Sequence, residues 1–274
     1  MFKCGITGSS GVLGRQLIKN LNFKYFIFNG RIEKKKDLQK WYLKNKFDLV
    51  IHLAAIVPTY KVNKEYRKAI NVNFIGTKNL VDIINTCEHK PKWFFFSSTS
   101  HVYKQKNNKR KILENSKTKP NSKYGFTKLL AENYIKDNIK INYSIGRIFS
   151  YTHINQNKSF LIPSIKKKIK EKKLNLNNLN HYRDFIHVKD ICSAINILWK
   201  KRALGTFNIG TSDIIYLKDI ALMMKKKINK DLTLTFDDNK KSTFLVANIQ
   251  KIKKLGWKPK YKINKILNDF LKKK

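Results

Sequence analysis

A short apolar stretch, Phe2-Lys3-Cys4-Gly5-Ile6-Thr7, runs straight into Gly8-Ser9-Ser10-Gly11-Val12-Leu13-Gly14, and Leu13, Leu17, Ile18 and Leu21 then recur at helical spacing. Strand, glycine turn and helix in that order let backbone N–H groups and a helix N-terminus face a pyrophosphate. Gly8 permits the sharp turn, Gly11 removes a Cβ that would block the phosphates, and Gly14 lets the helix pack close to the strand. Three glycines by themselves mark only a loop. With a strand before them and a helix after, they constrain the chain to a dinucleotide-binding βαβ start, in which Ser10 and Val12 join the phosphate-facing turn.

The rest of the chain continues the alternation. Strands are predicted at 25–28, 48–53, 92–97 and 141–146, and helices at 37–46, 65–87 and 122–137. The fourth strand, Trp93-Phe94-Phe95-Phe96, is apolar on both faces, as a central parallel strand should be. Beyond about residue 150 the rhythm loosens, with helices near 160–172, 188–200, 216–228 and 263–273 and strands near 173–177 and 205–209. The expected fold class is α/β: a Rossmann-type doubly wound parallel sheet over residues 1–150, and a smaller C-terminal α/β substrate-binding region over 151–274 that shares one cleft with it.

Composition narrows the partners. With 59 Lys and Arg against 18 Asp and Glu, the net charge of +41 invites a nucleic-acid reading. Only seven of the basic residues are arginine, the side chain best suited to reading bases and gripping phosphates. The lysines are spread along the whole chain among abundant Asn and Ile, the footprint of an AT-rich genome. No nucleic-acid partner is expected, although the charge can steer anionic small substrates within a Debye length of about 8 Å. No apolar run is long enough to span a bilayer, and the first strand begins at residue 2, so neither a membrane nor a leader is expected. Cys4, Cys87 and Cys192 show no Cys-x-x-Cys pattern and read as free thiols of a cytoplasmic protein. The six histidines have no ligand spacing, so no metal is expected.

Two further features carry chemistry. Tyr124-Gly125-Phe126-Thr127-Lys128 puts a phenol and an ammonium one helical turn apart. A lysine there favours the phenolate, but half-ionising a tyrosine at pH 7 takes roughly 4 kcal/mol. Upstream, Ser97-Ser98-Thr99-Ser100-His101-Val102-Tyr103 places hydroxyls at the carboxyl end of the fourth strand, where open α/β sheets bind ligands.

With these in order, the chain resembles the extended short-chain dehydrogenase/reductase superfamily, in its nucleotide-sugar epimerase, dehydratase and reductase branch. The resemblance also rests on His52-Leu53-Ala54-Ala55, on Asn71-Val72-Asn73-Phe74-Ile75-Gly76-Thr77 and on Arg183-Asp184-Phe185-Ile186-His187-Val188-Lys189-Asp190. Phe207-Asn208-Ile209-Gly210 and Leu255-Gly256-Trp257-Lys258-Pro259 close it. It implies Tyr124 as acid/base, Lys128 as the group that tunes it and holds the nicotinamide ribose, and Thr99 as the assisting hydroxyl. It places Leu53, Ala54 and Ala55 along the cofactor, Asn73 with them as a support of the active-site edge, and Arg183 on the substrate diphosphate. A surface arginine paired with Asp184 is the plainer reading of that last residue. The substrate class implied is a nucleotide-activated sugar, epimerised or reduced by hydride transfer. A non-catalytic dinucleotide-binding regulator is the alternative.

Departures from the pattern are informative. Ser100-His101 stand where the dehydratases carry an Asp-Glu pair, which argues against loss of water. Ser150 replaces an asparagine usual in the epimerases, and the nucleotide-pocket arginine is missing, with only Lys240 and Lys241 nearby. The second strand ends in Asn29-Gly30-Arg31 rather than in a carboxylate. With Arg15 beside the glycine loop, the balance favours NADP over NAD. The resemblance further implies a homodimer paired through helices 65–87 and 122–137, with Ile70, Phe74, Val81, Leu129, Leu130 and Tyr134 at the interface.

Overall fold

The computed structural model describes residues 2–20, 23–105, 107–239 and 241–272; Leu21, Lys240 and residue 273, which the sequence patterns involve, lie outside the described residues. β1 (Lys3–Thr7) leads through the glycine turn into α1 (Val12–Ile18), then β2 (Lys24–Phe28), α2 (Lys35–Asn45) and β3 (Leu49–His52). α3 (Thr59–Lys64), α4 (Tyr66–Ile70), a π-helical turn (Asn71–Ile75) and α5 (Gly76–Thr86) precede β4 (Trp93–Thr99). A 3₁₀ turn (Ser100–Val102) follows, then α6 (Lys123–Asn138), β5 (Tyr143–Ile148) and β6 (Ser150–Tyr151). The remainder comprises α7 (Leu161–Lys170), β7 (Asn175–Asn177), β8 (Tyr182–Arg183), β9 (Phe185–Ile186), α8 (Val188–Lys200) and β10 (Gly205–Ile209). It ends with β11 (Ile215–Tyr216), α9 (Leu217–Ile228), β12 (Thr235–Asp237), β13 (Phe244–Leu245), α10 (Gln250–Lys253) and α11 (Ile263–Leu271).

Six parallel strands pair in the order β10-β5-β4-β3-β1-β2. The two-residue period of a strand sorts the aromatic run of β4 between the two faces. Trp93 and Phe95 pack with α1 and α8, whereas Phe94 and Phe96 pack with α2, α5 and α6. All four are fully buried, each stabilising by about 1.5–3 kcal/mol relative to exposure. Strand order reverses between β1 and β3, and the carboxyl ends of the strands open there into a cleft. β10, from the 151–274 region, forms one edge of this sheet, so the two regions share the sheet as well as the cleft. The remainder of that region is built from short sheets, β11-β8-β13, β12-β7 and β6-β9. Its separate core joins α7, α9 and α11 through Ile165, Ile220, Met224, Leu267 and Phe270.

The helix expected over 65–87 is broken. α4 passes through the π turn into α5, and α3 stands before it. The wider turn inserts one residue into the helical register and brings Asn73 fully inside, where its amide finds backbone partners. Val81, expected at a dimer interface, instead lies wholly within the core between α5 and the sheet. Ile70, Phe74, Leu129, Leu130 and Tyr134 are half-buried. No helix among the described residues is long and apolar enough to cross a membrane.

Behind the cleft lies a buried ion pair. Glu132 on α6 accepts from Arg147 Nε at 3.0 and 3.1 Å and from its Nη2 at 2.6 Å, and takes a further bond from the Ser98 hydroxyl at 2.5 Å. Arg147 Nη1 donates to the Glu114 carbonyl at 2.9 Å, and its guanidinium lies 4.6 Å from the centre of the Tyr103 ring. Removing one partner of such a pair strands the other charge in the interior, at a cost of about 3–5 kcal/mol. Arg147→Met should lose stability of that order in urea denaturation, and adding Glu132→Gln should recover much of it. Equal stability of Arg147→Met and the parent would show that the pair does not hold the sheet to α6.

Candidate active site

The cleft has a volume of about 1250 Å³. Gly8, Ser10, Gly11, Val12 and Gly14 form one wall, and Leu53, Ala54 and Ala55 the floor beside them. Gly8 has φ +75°, and a Cβ there would come within 2.5 Å of Ala54 N. A Cβ on Gly14 would meet Gly8 O at 2.4 Å. The cradle therefore closes only around glycine, with its backbone turned to the cleft. Thr99, Tyr124 and Lys128 form the facing wall, and Arg183 with Ser150 and Tyr151 comes from the C-terminal side.

Asn73, expected among the cofactor-binding residues and as a support of the active-site edge, does not itself line the cleft. It lies beneath the lining, accepting from Ile56 N at 2.7 Å and donating to Ile56 O and Thr127 Oγ1, both at 3.0 Å. It holds the floor and α6 rather than facing a ligand. Arg15 folds back to donate to the Ser10 carbonyl, while Arg31 lines the cleft. Glu33, a carboxylate that the reading of Asn29-Gly30-Arg31 did not include, lines it too.

Burial dominates the electrostatics. Lys128 is 1 % exposed, with Nζ 3.9 Å from the centre of the Phe96 ring. Desolvation lowers its pKa to about 7, against the pull of the Glu132 carboxylate one turn away. At neutral pH the ammonium is thus only half-formed and pushes weakly on its neighbours. Tyr124 is held above the ordinary tyrosine value, first by burial and then by the Tyr151 phenol, with the Thr99 hydroxyl opposing. The phenol is therefore a protonated acid in the free cleft, and the expectation that Lys128 would favour a phenolate is reversed by desolvation. Arg183 is pulled down to about 10 by burial. Its guanidinium donates to Tyr182 O at 2.8 Å, to Thr243 O at 3.1 Å and to Thr243 Oγ1 at 3.0 Å. Asp184 is not its partner: that buried carboxylate accepts from Thr211 N and Oγ1, Ser212 N and Ala247 N.

Besides Glu33, His101 and Tyr151 line the cleft without a role assigned from the sequence. The His101 ring opens onto the cleft with its centroid 6.2 Å from that of Tyr124, at an angle of 66°. Desolvation by the cleft walls, then the Arg183 charge, holds its imidazole below the ordinary histidine value. Its position two residues after Thr99 was the available signal. Tyr151 is half-buried, and burial pushes its phenol up to about 12. Nothing in its local sequence marks it.

A Tyr124 acid, a Thr99 hydroxyl and a half-neutral Lys128 facing a glycine cradle can deliver or accept a proton at an oxygen held between them. The lysine also makes a stability prediction. Its folded pKa lies below the unfolded value of about 10.4, so the unfolded chain binds the extra proton between about pH 7 and pH 10. The burial cost is full below that window and disappears above it. Lys128→Met should raise the melting temperature over the parent at pH 6, with the gain shrinking toward pH 10. A Met variant less stable than the parent at pH 6 would contradict the assigned desolvation.

A family model described as GDP-mannose 4,6 dehydratase matches residues 7–270. A bifunctional UDP-glucose 4-epimerase and UDP-xylose 4-epimerase 1 of Pisum sativum is 27% identical, over 94% of this chain and 81% of its own length. A GDP-6-deoxy-D-talose 4-dehydrogenase of Aggregatibacter actinomycetemcomitans is 32% identical, over 75% of this chain and 73% of its own. Among solved structures, RMD of Pseudomonas aeruginosa complexed with NADPH superposes with a TM-score of 0.86 at 20% identity, covering 99% of this chain and 98% of that one. UDP-glucose 4-epimerase of Thermus thermophilus, in complex with NAD, does so at 0.84 and 16% identity, covering 98% and 99%.

Proposed function

The chain belongs to the GDP-mannose 4,6-dehydratase family, within the extended short-chain dehydrogenase/reductases, and from that premise we propose that it reduces a keto group of a nucleotide-activated sugar with a nicotinamide dinucleotide. The observation that carries the reading is the placement of Tyr124, with Thr99 beside it, in the same cleft as the glycine cradle. The cradle fits a dinucleotide: Gly8 and Gly14 leave no room for a Cβ, and their backbone lines the same space as Leu53, Ala54 and Ala55. When bound, the dinucleotide supplies the hydride.

Tyr124 gives its proton to the carbonyl oxygen as that oxygen gains charge, and the Thr99 hydroxyl donates a hydrogen bond to the same oxygen. Lys128, near its midpoint at neutral pH, orients the ribose and eases return of a proton to the phenol. Arg183 takes the diphosphate of the substrate. Ser100 and His101, in place of an acidic pair, leave loss of water outside this reading. Epimerisation by hydride removal and return is the second reading, favoured by the similarity to UDP-glucose 4-epimerases of Pisum sativum and Mycoplasma genitalium. The proposal includes the organisation into a 1–150 cofactor region and a 151–274 substrate region. It also includes pairing of two copies through α4, α5 and α6 without Val81.

Turnover should be assayed with GDP-, dTDP- and UDP-linked 4-keto-6-deoxyhexoses plus NADPH, and with UDP-glucose alone. Tightly bound NAD⁺ in the purified protein with UDP-glucose turnover would favour the epimerase. An empty protein needing added NADPH supports the reductase. Tyr124→Phe should lower turnover by about 10²-fold or more with cofactor affinity kept; near-parent turnover would remove Tyr124 from the mechanism.

NADP is assigned on Arg31, with Glu33 opposing. Arg31→Asp should weaken NADPH relative to NADH by about tenfold, and Glu33→Gln should shift the preference the other way. A parent that prefers NADH refutes the NADP assignment at the outset.

A further inference from the structure

A line of buried hydrogen bonds joins the cleft floor to the helix that carries Tyr124. Ala54 N donates to Thr7 Oγ1 at 3.4 Å, and Thr7 Oγ1 lies 2.6 Å from His52 Nδ1. His52 Nε2 lies 2.8 Å from Thr77 Oγ1, and the Thr77 hydroxyl donates to Asn73 O at 2.8 Å. Asn73 Nδ2 donates to Thr127 Oγ1 at 3.0 Å, and the Thr127 hydroxyl donates to Tyr124 O at 2.8 Å. Thr7, His52, Asn73, Thr77 and Thr127 are all fully buried.

Proton counting gives the direction of every bond. The Asn73 carbonyl can only accept, so the single hydroxyl proton of Thr77 goes to it, and the Thr77 oxygen must accept from His52. That puts the imidazole proton on Nε2 and leaves Nδ1 as the acceptor of the Thr7 hydroxyl. The Thr7 oxygen is then free to accept from Ala54 N. One neutral tautomer of His52 satisfies the whole line, and no other does. Burial, assisted by the Lys128 charge, lowers the His52 pKa to about 3, so the neutral ring persists across the working pH range.

The line spans separate elements: β1, β3, the π turn with the start of α5, and α6. The Leu53–Ile56 floor and Tyr124 both line the cleft, and Ile56 packs in the same apolar cluster as Tyr124. Asn73 fastens the floor at Ile56, and Thr7 fastens it at Ala54.

We propose that His52 and Thr77 are positioning residues of the reaction, a neutral relay that holds the cofactor-side floor in register with Tyr124. The proposal rests on the hydride-transfer reading above. Neither residue lines the cleft or touches a ligand there, so the relay acts through geometry, and a small error in that register is costly to catalysis.

The test uses Thr77→Val, which keeps shape and removes the hydroxyl, and Thr77→Ser, which keeps the hydroxyl. The assays use the same panel of 4-keto-6-deoxyhexose nucleotides with NADPH. Thr77→Val should lower kcat by about tenfold to a hundredfold, leave the sugar KM and NADPH affinity within about twofold, and raise the isotope effect from deuterated NADPH; Thr77→Ser should retain parent kcat. Nitrogen-15 spectra of histidine-labelled protein should show His52 as the Nε2–H tautomer in the parent and a mixture in Thr77→Val. If Thr77→Val does not fold, Thr127→Val cuts the far end of the relay and is read the same way. A folded variant with parent kcat and isotope effect overturns the relay alone. No turnover by the parent on any sugar of the panel overturns the functional reading, and the relay's role in catalysis with it.

Discussion

The Glu132–Arg147 ion pair is the interaction on which the cleft depends. Its oxygens and nitrogens face one another in the interior, with Ser98 and the Glu114 carbonyl taking up remaining bonding capacity. The pair joins α6, which carries Tyr124 and Lys128, to β5 and to the end of β4, which carries Thr99. Tyr103 extends the same network to β10 through Asn208 Oδ1 at 2.6 Å, and Asn208 N donates back to Glu114 Oε1 at 2.9 Å. A charge pair placed this deep gains little net stability over apolar residues of similar volume. What it supplies is direction: guanidinium and carboxylate meet in one geometry, and the three chemical side chains inherit it.

The same interior sets the protonation states. Lys128 sits against Phe96 and is half-neutral at pH 7, and Tyr124 keeps its proton because burial outweighs the help from Thr99. Wall and floor serve different ends: the wall tunes protons, whereas the floor is tied down through its backbone at Ala54 and Ile56.

The long periodic elements were legible. Strands at β1, β3, β4 and β5 and helices at α6, α8 and α9 fall within a few residues of their sequence patterns, because each buries a face whose period the sequence displays. Of the two- and three-residue strands of the C-terminal region, β7 falls on the strand expected near 173–177, and the others were not legible, since so short a segment has no period to show. The π turn was hidden for another reason: Asn73 and its neighbours read as ordinary helix until the Ile56 backbone claims the amide. Val81 turned into the core likewise depends on neighbours distant in sequence.

The sequence by itself determined the glycine cradle and the parallel sheet, while the grouping of Thr99, Tyr124, Lys128 and Arg183 at one cleft came from the family resemblance. Glycine spacing, strand ends and helical turns are local, and their consequences follow from backbone sterics and hydrogen-bond reach. Only the tertiary structure decided the charges and the registers: a neutral His52 with one tautomer, a half-neutral Lys128, a protonated Tyr124, and Asn73 buried beneath the floor. Those depend on desolvation and on partners brought from up to 54 residues away, as in the Asn73–Thr127 bond. Burial acts through three-dimensional surroundings that no stretch of the chain contains.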